Sequence, residues 1–403
     1  MTPTAVVVGG GIAGLASAIS LASAGWRTTT LERARELGEV GAGVALTPNA
    51  VAALGALGLD GDDVAGLGPQ TWATGTWEWN GRPILRLPDD PGVRAATTLR
   101  GVHRGRLHAA LLERARDLGV EVVTSARVTS VDPGAPGGAP AVVRHTVRGT
   151  GGGGAGEDER AADLVVGADG VRSAVRAALF PGARTAYSGY SSWRAVLPVA
   201  AADPGLLQFW GPHAEFGIMP VGEAATYWYG YVRMPEGTVL GGADAELAAA
   251  RERFAGWAPP VLRVLAATPP EAVMRHDVHH LPGGLPGYAR GRVVMVGDAA
   301  HATLPTMGQG AATALEDGAC VGRILAARTG AGAPLAEALA AFDAARRPRC
   351  RALARASVTS GRFGSHLGPR WQGLRNALMR RMPAAAVTRG AGAVMGWRPP
   401  PLP

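Results

Sequence analysis

From Ala5 to Glu32 the chain carries one continuous pattern that few folds accommodate. Ala5–Val8 reads as a short buried parallel strand. Gly9, Gly11 and Gly14 follow in the spacing G-x-G-x-x-G, with Ala13 inside the motif. Residues 12–24 read as a helix of small and apolar residues that stops at Gly25. Thr28–Leu31 makes a second, β-branched strand, and Glu32 stands at its end, roughly 20 residues past the glycines. Gly9 permits the tight turn, Gly11 lets backbone approach a pyrophosphate, and Gly14 lets the helix pack closely on the strand. The helix N-terminus offers free N–H groups and a partial positive charge to phosphates. Glu32 can accept both hydroxyl hydrogens of an adenosine ribose and would repel a 2′-phosphate. FAD and NAD both fit; NADP is disfavoured at this site.

Residues 5–25 are uncharged and long enough to span a bilayer. The glycine cluster argues for strand, turn and helix instead, and no positively charged region precedes it as a signal peptide requires. The expectation is a cytoplasmic protein without stable membrane insertion.

The 403 residues suggest two lobes, and 47% hydrophobic against 18% charged residues supports a large core. All 40 basic residues are arginines. Without lysine there is no Walker P-loop, Schiff-base lysine or Ser-x-x-Lys acylation site. The net charge of +8 comes from scattered arginines, which suits anionic ligands and gives no nucleic-acid partner. Cys320 and Cys350 lie in helical stretches and make no disulfide framework. His301, His279 and His280 lack companions at zinc spacing, so no metal is expected.

Two further strand–Gly–Asp units decide the cofactor. Leu164–Val166 leads into Gly167, Asp169 and Gly170, then a helix from about Ser173. Residues 292–298, RVVMVGD, end in Gly297 and Asp298, followed by Ala299, Ala300, His301, Pro305, Gly308, Gln309, Gly310 and a helix from Ala311. A nicotinamide enzyme needs no such second site, whereas the ribityl chain and flavin of FAD extend away from the first. Asp298 can accept hydrogen bonds from ribityl hydroxyls. The glycines at 308 and 310 let backbone amides approach the flavin pyrimidine, and the helix behind them favours the anionic reduced ring.

The fingerprint at 9–32, the run GADGVRSAVR and the run GDAAHATLPTMGQG resemble the class A FAD-dependent monooxygenases. That family includes p-hydroxybenzoate, salicylate and urate hydroxylases, zeaxanthin epoxidase and the tetracycline-modifying enzymes. GAGVALTPNAVAALGALGL at 41–59, HRGRLHAALL at 103–112 and YSGYSSWRAV at 187–196 extend the resemblance over roughly residues 4–350. It implies an α/β fold: a Rossmann-like FAD-binding domain with a parallel sheet, interleaved with a β-sheet substrate domain, and a C-terminal helix. The FAD-binding pieces would be 1–72, 98–184 and 285–360, the substrate pieces 73–97 and 185–284, and 361–403 a helix and tail. By position, Glu32 and Arg33 should hold the adenosine end, and Val128 a backbone contact to adenine. Gly43, Val44 and Ala45 should lie along the flavin, and Arg104 should meet the pyrophosphate or ribityl chain. Asp169 should hold local structure near the NAD(P)H path, Asp298 the pyrophosphate–ribityl region, and Gly308, Gly310 and Ala311 the isoalloxazine.

The implied chemistry is flavin reduction by NADH or NADPH, addition of O2 at C4a, and transfer of oxygen from the hydroperoxide to an electron-rich substrate, in secondary metabolism or aromatic catabolism. The absence of lysine removes the related halogenases. A flavin oxidase or reductase without oxygen insertion, and a non-catalytic flavin binder, remain as alternatives. The chain would act as a monomer or homodimer.

Residues 187–233 read as antiparallel β, with Tyr227, Tyr229 and Tyr231 sharing one face. An aromatic sheet face can floor a cavity for a small aromatic or polycyclic substrate. Trp193, Phe209, Phe216, Met219 and Tyr229 are the pocket candidates, and Arg194, Tyr227 and Pro305 the catalytic ones. Urate is disfavoured, because Glu215–Gly217 stands where the urate branch needs an arginine. Residues 133–160 read as loose hairpin tips, 245–270 as one or two helices broken at Pro259–Pro260, and 334–363 as a long arginine-rich helix. The tail ends in WRPPPLP, docked or frayed.

Overall fold

A computed structural model describes residues 2–38, 42–147 and 156–401. Its first layer is a six-stranded sheet in the order Ala289–Arg290, Val293–Met295, Leu164–Gly167, Thr4–Val8, Arg27–Leu31, Glu121–Val123. All neighbours run parallel except the edge strand Ala289–Arg290. The three glycine motifs therefore follow three adjacent strands. Val8 pairs with Gly167 and Gly167 with Met295, so the motif loops share the C-terminal edge of the sheet, where such sheets bind ligands.

The apparent membrane span is the central strand plus the helix Ile12–Ser23, buried along most of its length. Ala16 and Ser20 on that helix lie against Gly318 and Gly322 of the helix Gly310–Gly330, where any Cβ would overlap them. Small residues on both helices let the backbones approach and hold the N-terminal fingerprint to a segment 300 residues later. No helix among the described residues is long and apolar enough to cross a membrane.

The second layer is a nine-stranded sheet. Its main path runs Met274–His280, Ala186–Leu197, Ala225–Arg233, Ala214–Gly222, Leu206–Gly211, Gln70–Glu78, Thr98–His103, Gly43–Leu46, and Pro83–Arg86 pairs with Gln70–Glu78. Leu206–Gly211 pairs parallel with Gln70–Glu78; the other pairs are antiparallel. Helices Ala243–Arg253 and Pro259–Ala267 cover one side. The prolines at 259 and 260 open the second helix, where no N–H partner is needed, instead of breaking a longer one.

Two other expectations change. Gly156–Ala162 is a strand paired in register with Ala141–Val147, in a three-stranded sheet with Ala126–Asp132. Arg144 and Glu159, opposite each other in that register, form an ion pair at 2.8 Å. The glycine run expected as a hairpin tip, 148–155, lies outside the described residues. After the long helix Leu335–Phe363 the chain makes two helices, Pro369–Met379 and Ala384–Met395, where one was expected. The tail docks: Arg323 donates to the Pro400 carbonyl at 2.9 Å, and Trp397 lies 5.6 Å from the Arg346 guanidinium.

Candidate active site

The first turn is tightly built except at one point. Gly9 has φ +109° and its N–H donates to Leu31 O at 2.8 Å; a Cβ there would overlap the Ala168 carbonyl. A Cβ on Gly14 would overlap the carbonyl oxygen of Gly9. Gly11 is the opposite case: it caps the helix with no side-chain hydrogen bond, and a Cβ on it would meet nothing within 4 Å. The open face with free helix N–H groups fits a pyrophosphate. Ala13 is small because Gly297 of the third motif comes against it. Glu32 does more than was read from its position. Its Oε2 accepts from Gly10 N and its Oε1 from Ala34 N, each at 2.8 Å, so it also builds the turn, and each oxygen keeps a further acceptor site. Arg33 is exposed beside it. Val128 lies two residues past Ala126, whose N–H donates to Glu32 O, and pairs with His145. His108 was not singled out from sequence; its Nε2 sits 2.7 Å from Gly10 O.

Asp169 caps the helix Ala174–Leu179: its Oδ2 accepts from Ala174 N at 2.6 Å and Val175 N at 3.1 Å, and Ser173 donates to its Oδ1. Arg176, buried and also missed, donates to the carbonyls of Asp298 at 3.3 Å and Ala299 at 3.0 Å. It thereby ties the second motif to the third. Asp298 opens the short helix Asp298–His301 with its side chain exposed. Pro305 is exposed at the start of a 3-10 turn, which Thr306 anchors by donating to Ser357 O at 2.6 Å. Gly308 is left-handed at φ +62°, and neither it nor Gly310 would place a Cβ against any atom within 4 Å. Gly310 and Ala311 begin a 21-residue helix whose N-terminus has no side-chain cap.

Behind this loop lies a buried ionic network that no motif announced. Gly297 N donates to Asp317 Oδ2 at 2.8 Å, and His301 Nε2 lies 2.5 Å from the same oxygen. Arg346 reaches Asp317 Oδ1 at 2.7 Å and Glu316 Oε2 at 2.8 Å. Glu316 also accepts from Arg349 at 2.7 Å and from Asn49 at 2.6 Å; Asn49 donates to Gln309 as well. Burial pushes the Asp317 carboxyl up, but His301 and Arg346 outweigh it and hold it well below the usual range. Burial opposes charge on His301, yet Cys350 and Asp317 hold its pKa well above the ordinary value. His301, Asp317 and Cys350 stand close enough to hold a metal ion, but Arg346 already pairs with Asp317, which disfavours a cation there.

The nine-stranded sheet sorts the substrate candidates by face. Tyr227, Tyr229 and Tyr231 share one face, together with Met219 opposite Tyr227 and Arg194 opposite Tyr229. Trp193, Phe209 and Phe216, expected to line one pocket with Met219 and Tyr229, do not share their face. Trp193 and Phe216 lie opposite Gly230, and all three point to the other face, into a core with Trp228, Phe254 and Trp257 under the two helices. Phe216 stacks on Trp228 at 5.2 Å and meets Phe254 edge-on at 4.9 Å; Trp193 Nε1 donates to Glu246 at 2.7 Å. Period-two alternation predicts which residues share a face, not which face the helices cover.

On the tyrosine face, Tyr229 donates to the buried Glu215 Oε1 at 2.6 Å, and Gln208 donates to the Tyr229 oxygen at 3.1 Å. Burial raises the Glu215 carboxyl above its ordinary pKa, against the hydrogen bond from Tyr229. Burial and then Glu215 push Tyr229 well above the phenol value. Next to this patch the sheet curls back on itself. Arg104 N donates to Ala42 O at 2.8 Å, and a Cβ on Gly43 would overlap the Tyr227 ring; Ala45 packs in the same small cluster, and Val44 is half-buried beside it. Burial lowers the Arg104 pKa, Asp298 raises it, and Arg194 lowers it. Burial raises Tyr227, opposed by Arg194 and Arg104. His276, unremarked in the sequence, is lowered by burial, then by Arg194 and Arg104. These residues form one electrostatic cluster.

The FAD binding domain family model matches residues 1–357. Aurachin C monooxygenase/isomerase of Stigmatella aurantiaca is 35% identical over 94% of both chains. The 6-hydroxynicotinate 3-monooxygenase of Bordetella bronchiseptica is 32% identical over 80% of this chain and 82% of its own. A Klebsiella pneumoniae HpxO variant solved with FAD superposes with a TM-score of 0.83 at 26% identity, covering 98% of both chains. With the glycine turn, the two Gly-Asp loops and the interleaved sheets in place, the chain belongs to the FAD-binding-domain family and, within it, to the class A FAD-dependent monooxygenases.

Proposed function

We propose that this chain inserts one oxygen atom into an electron-rich aromatic or polycyclic substrate, by hydroxylation or epoxidation, consuming O2 and NADH or NADPH. The observation that carries this reading is the edge shared by the three glycine loops, where Gly11, Gly308 and Gly310 leave open faces for a long dinucleotide. Bound FAD supplies hydride acceptance and oxygen activation. The chain's own residues must hold it, orient the substrate and keep water out. In this reading Gly9, Gly11, Ala13 and Gly14 hold the pyrophosphate, and Glu32, Arg33 and Val128 the adenosine end. Arg104 and Asp298 hold the ribityl region, and Gly43–Ala45 with Gly308–Ala311 the ring system. Asp169 acts on loop geometry. Arg194 and Tyr227 orient the substrate from the sheet, and Pro305 bounds it from the loop; Met219 and Tyr229 line the cavity. The lobes are those given by the sequence pieces, with Gln70–Glu78 bridging them.

The reading is supported by the relatives' named activities, which act on aromatic or heteroaromatic rings. Its test is the visible spectrum of purified protein as NADH, then NADPH, is added with and without a pooled aromatic panel. Yellow protein bleached faster with the panel, and labelled oxygen from O2 in the product, are expected. Product without label would leave a reductase. Colourless protein that takes up no FAD would overturn the reading.

A further inference from the structure

We propose that the exposed face of the helix Pro369–Met379 docks the protein on an anionic lipid surface. Trp371, Leu374 and Leu378 follow at helical spacing along one face and are 62%, 57% and 55% exposed. Met382 just beyond and Phe363 just before are 42% and 46% exposed. Of nine large hydrophobic side chains exposed among the described residues, five fall in this stretch of twenty. The helix is not frayed. Arg375 on its inner side donates to Phe363 O at 2.8 Å and Gly364 O at 3.2 Å, and its guanidinium lies 4.8 Å from the Trp210 ring. Asn376 and Met379 are buried beside it.

The charge around the stripe selects its occupant. Residues 344–403 contain 12 arginines and no acid, whereas residues 1–343 hold 28 arginines and 32 acids. Arg362, Arg370 and Arg381 are exposed beside the stripe. Among the described ion pairs, residues 363–382 make one, Arg380 with Glu78. A second copy joined about a two-fold axis would set this arginine-flanked patch against itself. Anionic headgroups complement the arginines while the acyl boundary takes Trp371, Leu374 and Leu378. The stripe also hangs on the cavity side of the sheet. His366, in the connection before the helix, lies 3.0 Å from the Tyr231 hydroxyl and stacks on Tyr190 at 3.9 Å. A docked helix sets the lipid surface beside the substrate face; that consequence rests on the oxygenase reading, the docking does not.

The test sediments full-length, FAD-loaded protein with phosphatidylcholine vesicles, alone or with about 30% phosphatidylglycerol, with no substrate present. Co-sedimentation with the mixed vesicles, weakened by salt, is expected, with little on phosphatidylcholine alone. Leu374→Glu with Leu378→Glu should lower partitioning more than tenfold while FAD content stays unchanged. Arg370→Glu and Arg381→Glu, both on exposed positions, should each lower it about fivefold, matching roughly 1 kcal/mol per arginine at such a surface. Protein that stays in the supernatant, or variants that sediment like the parent, overturn the proposal. So does a solution dimer that the double leucine change splits, which would make the stripe a subunit interface.

Discussion

The two faces of the nine-stranded sheet use alternate residues of the same strands and carry opposite chemistry. One buries Trp193, Phe209, Phe216 and Trp228 under two helices, where rings stack and meet edge-on. The other holds hydroxyls and charges: Tyr227, Tyr231 and Glu215 are buried there, and Tyr229 and Arg194 half-buried. Tyr227 and Trp228 are neighbours in the chain, yet one faces Arg104 and the other a dry core. An aromatic residue in a strand thus says nothing by itself about binding. What separates core from site is whether the face also holds polar groups that must find partners.

Substitutions on the two faces should therefore fail in different ways. Phe216→Ala removes a fully buried ring and should cost about 3–5 kcal/mol in urea unfolding, with substrate KM unchanged in the folded fraction. A shifted KM at unchanged stability would move Phe216 into the pocket and erase the contrast. Tyr229→Phe keeps the ring but deprives buried Glu215 of its 2.6 Å donor. About 1–3 kcal/mol of stability should go, with a raised substrate KM. For Arg194→Met, stability should stay within about 0.5 kcal/mol. Substrate-stimulated NAD(P)H oxidation should fall about tenfold or more, the scale of a lost charged hydrogen bond; unaltered turnover would reduce Arg194 to a strand residue.

The smallest effect is a pH slope. Burial, then the charges of His213, Arg362 and His280, lower His366 from 6.5 to about 4. Between those values the unfolded chain takes a proton that the folded ring refuses, so stability falls as pH drops through this window. Unfolding midpoints measured from pH 4 to 7 should show that slope in the parent and a flatter one in His366→Phe. An identical slope would mean that the ring titrates normally in the folded chain.

The cofactor edge was legible because its signals are local. A glycine fixed by its turn, a strand of four apolar residues and an acid at the next strand end need only a few neighbours to make sense, as at Gly9, Val166 and Glu32. The network behind it was not. Asn49, Glu316, Asp317, Arg346 and Arg349 come from three helices, up to 300 residues apart, and in the sequence they look like solvated charges on helix faces. Breaking such a buried pair typically costs about 3–5 kcal/mol, so these charges are part of the site's frame. Arg176 and His276 escaped for the same reason: only the folded chain brings them to Asp298 and Arg194.

The sequence by itself determined the parallel sheet with its three strand–glycine loops, the dinucleotide site and the family, because backbone clearance and hydrophobic periodicity act over short distances. Only the tertiary structure decided which face of the second sheet packs under helices and which holds the polar groups, which arginines turn inward to buried carboxylates, and which helix keeps an apolar stripe outside. Each of those depends on what packs against an element, and alternation along a strand or helix fixes its faces without fixing their neighbours.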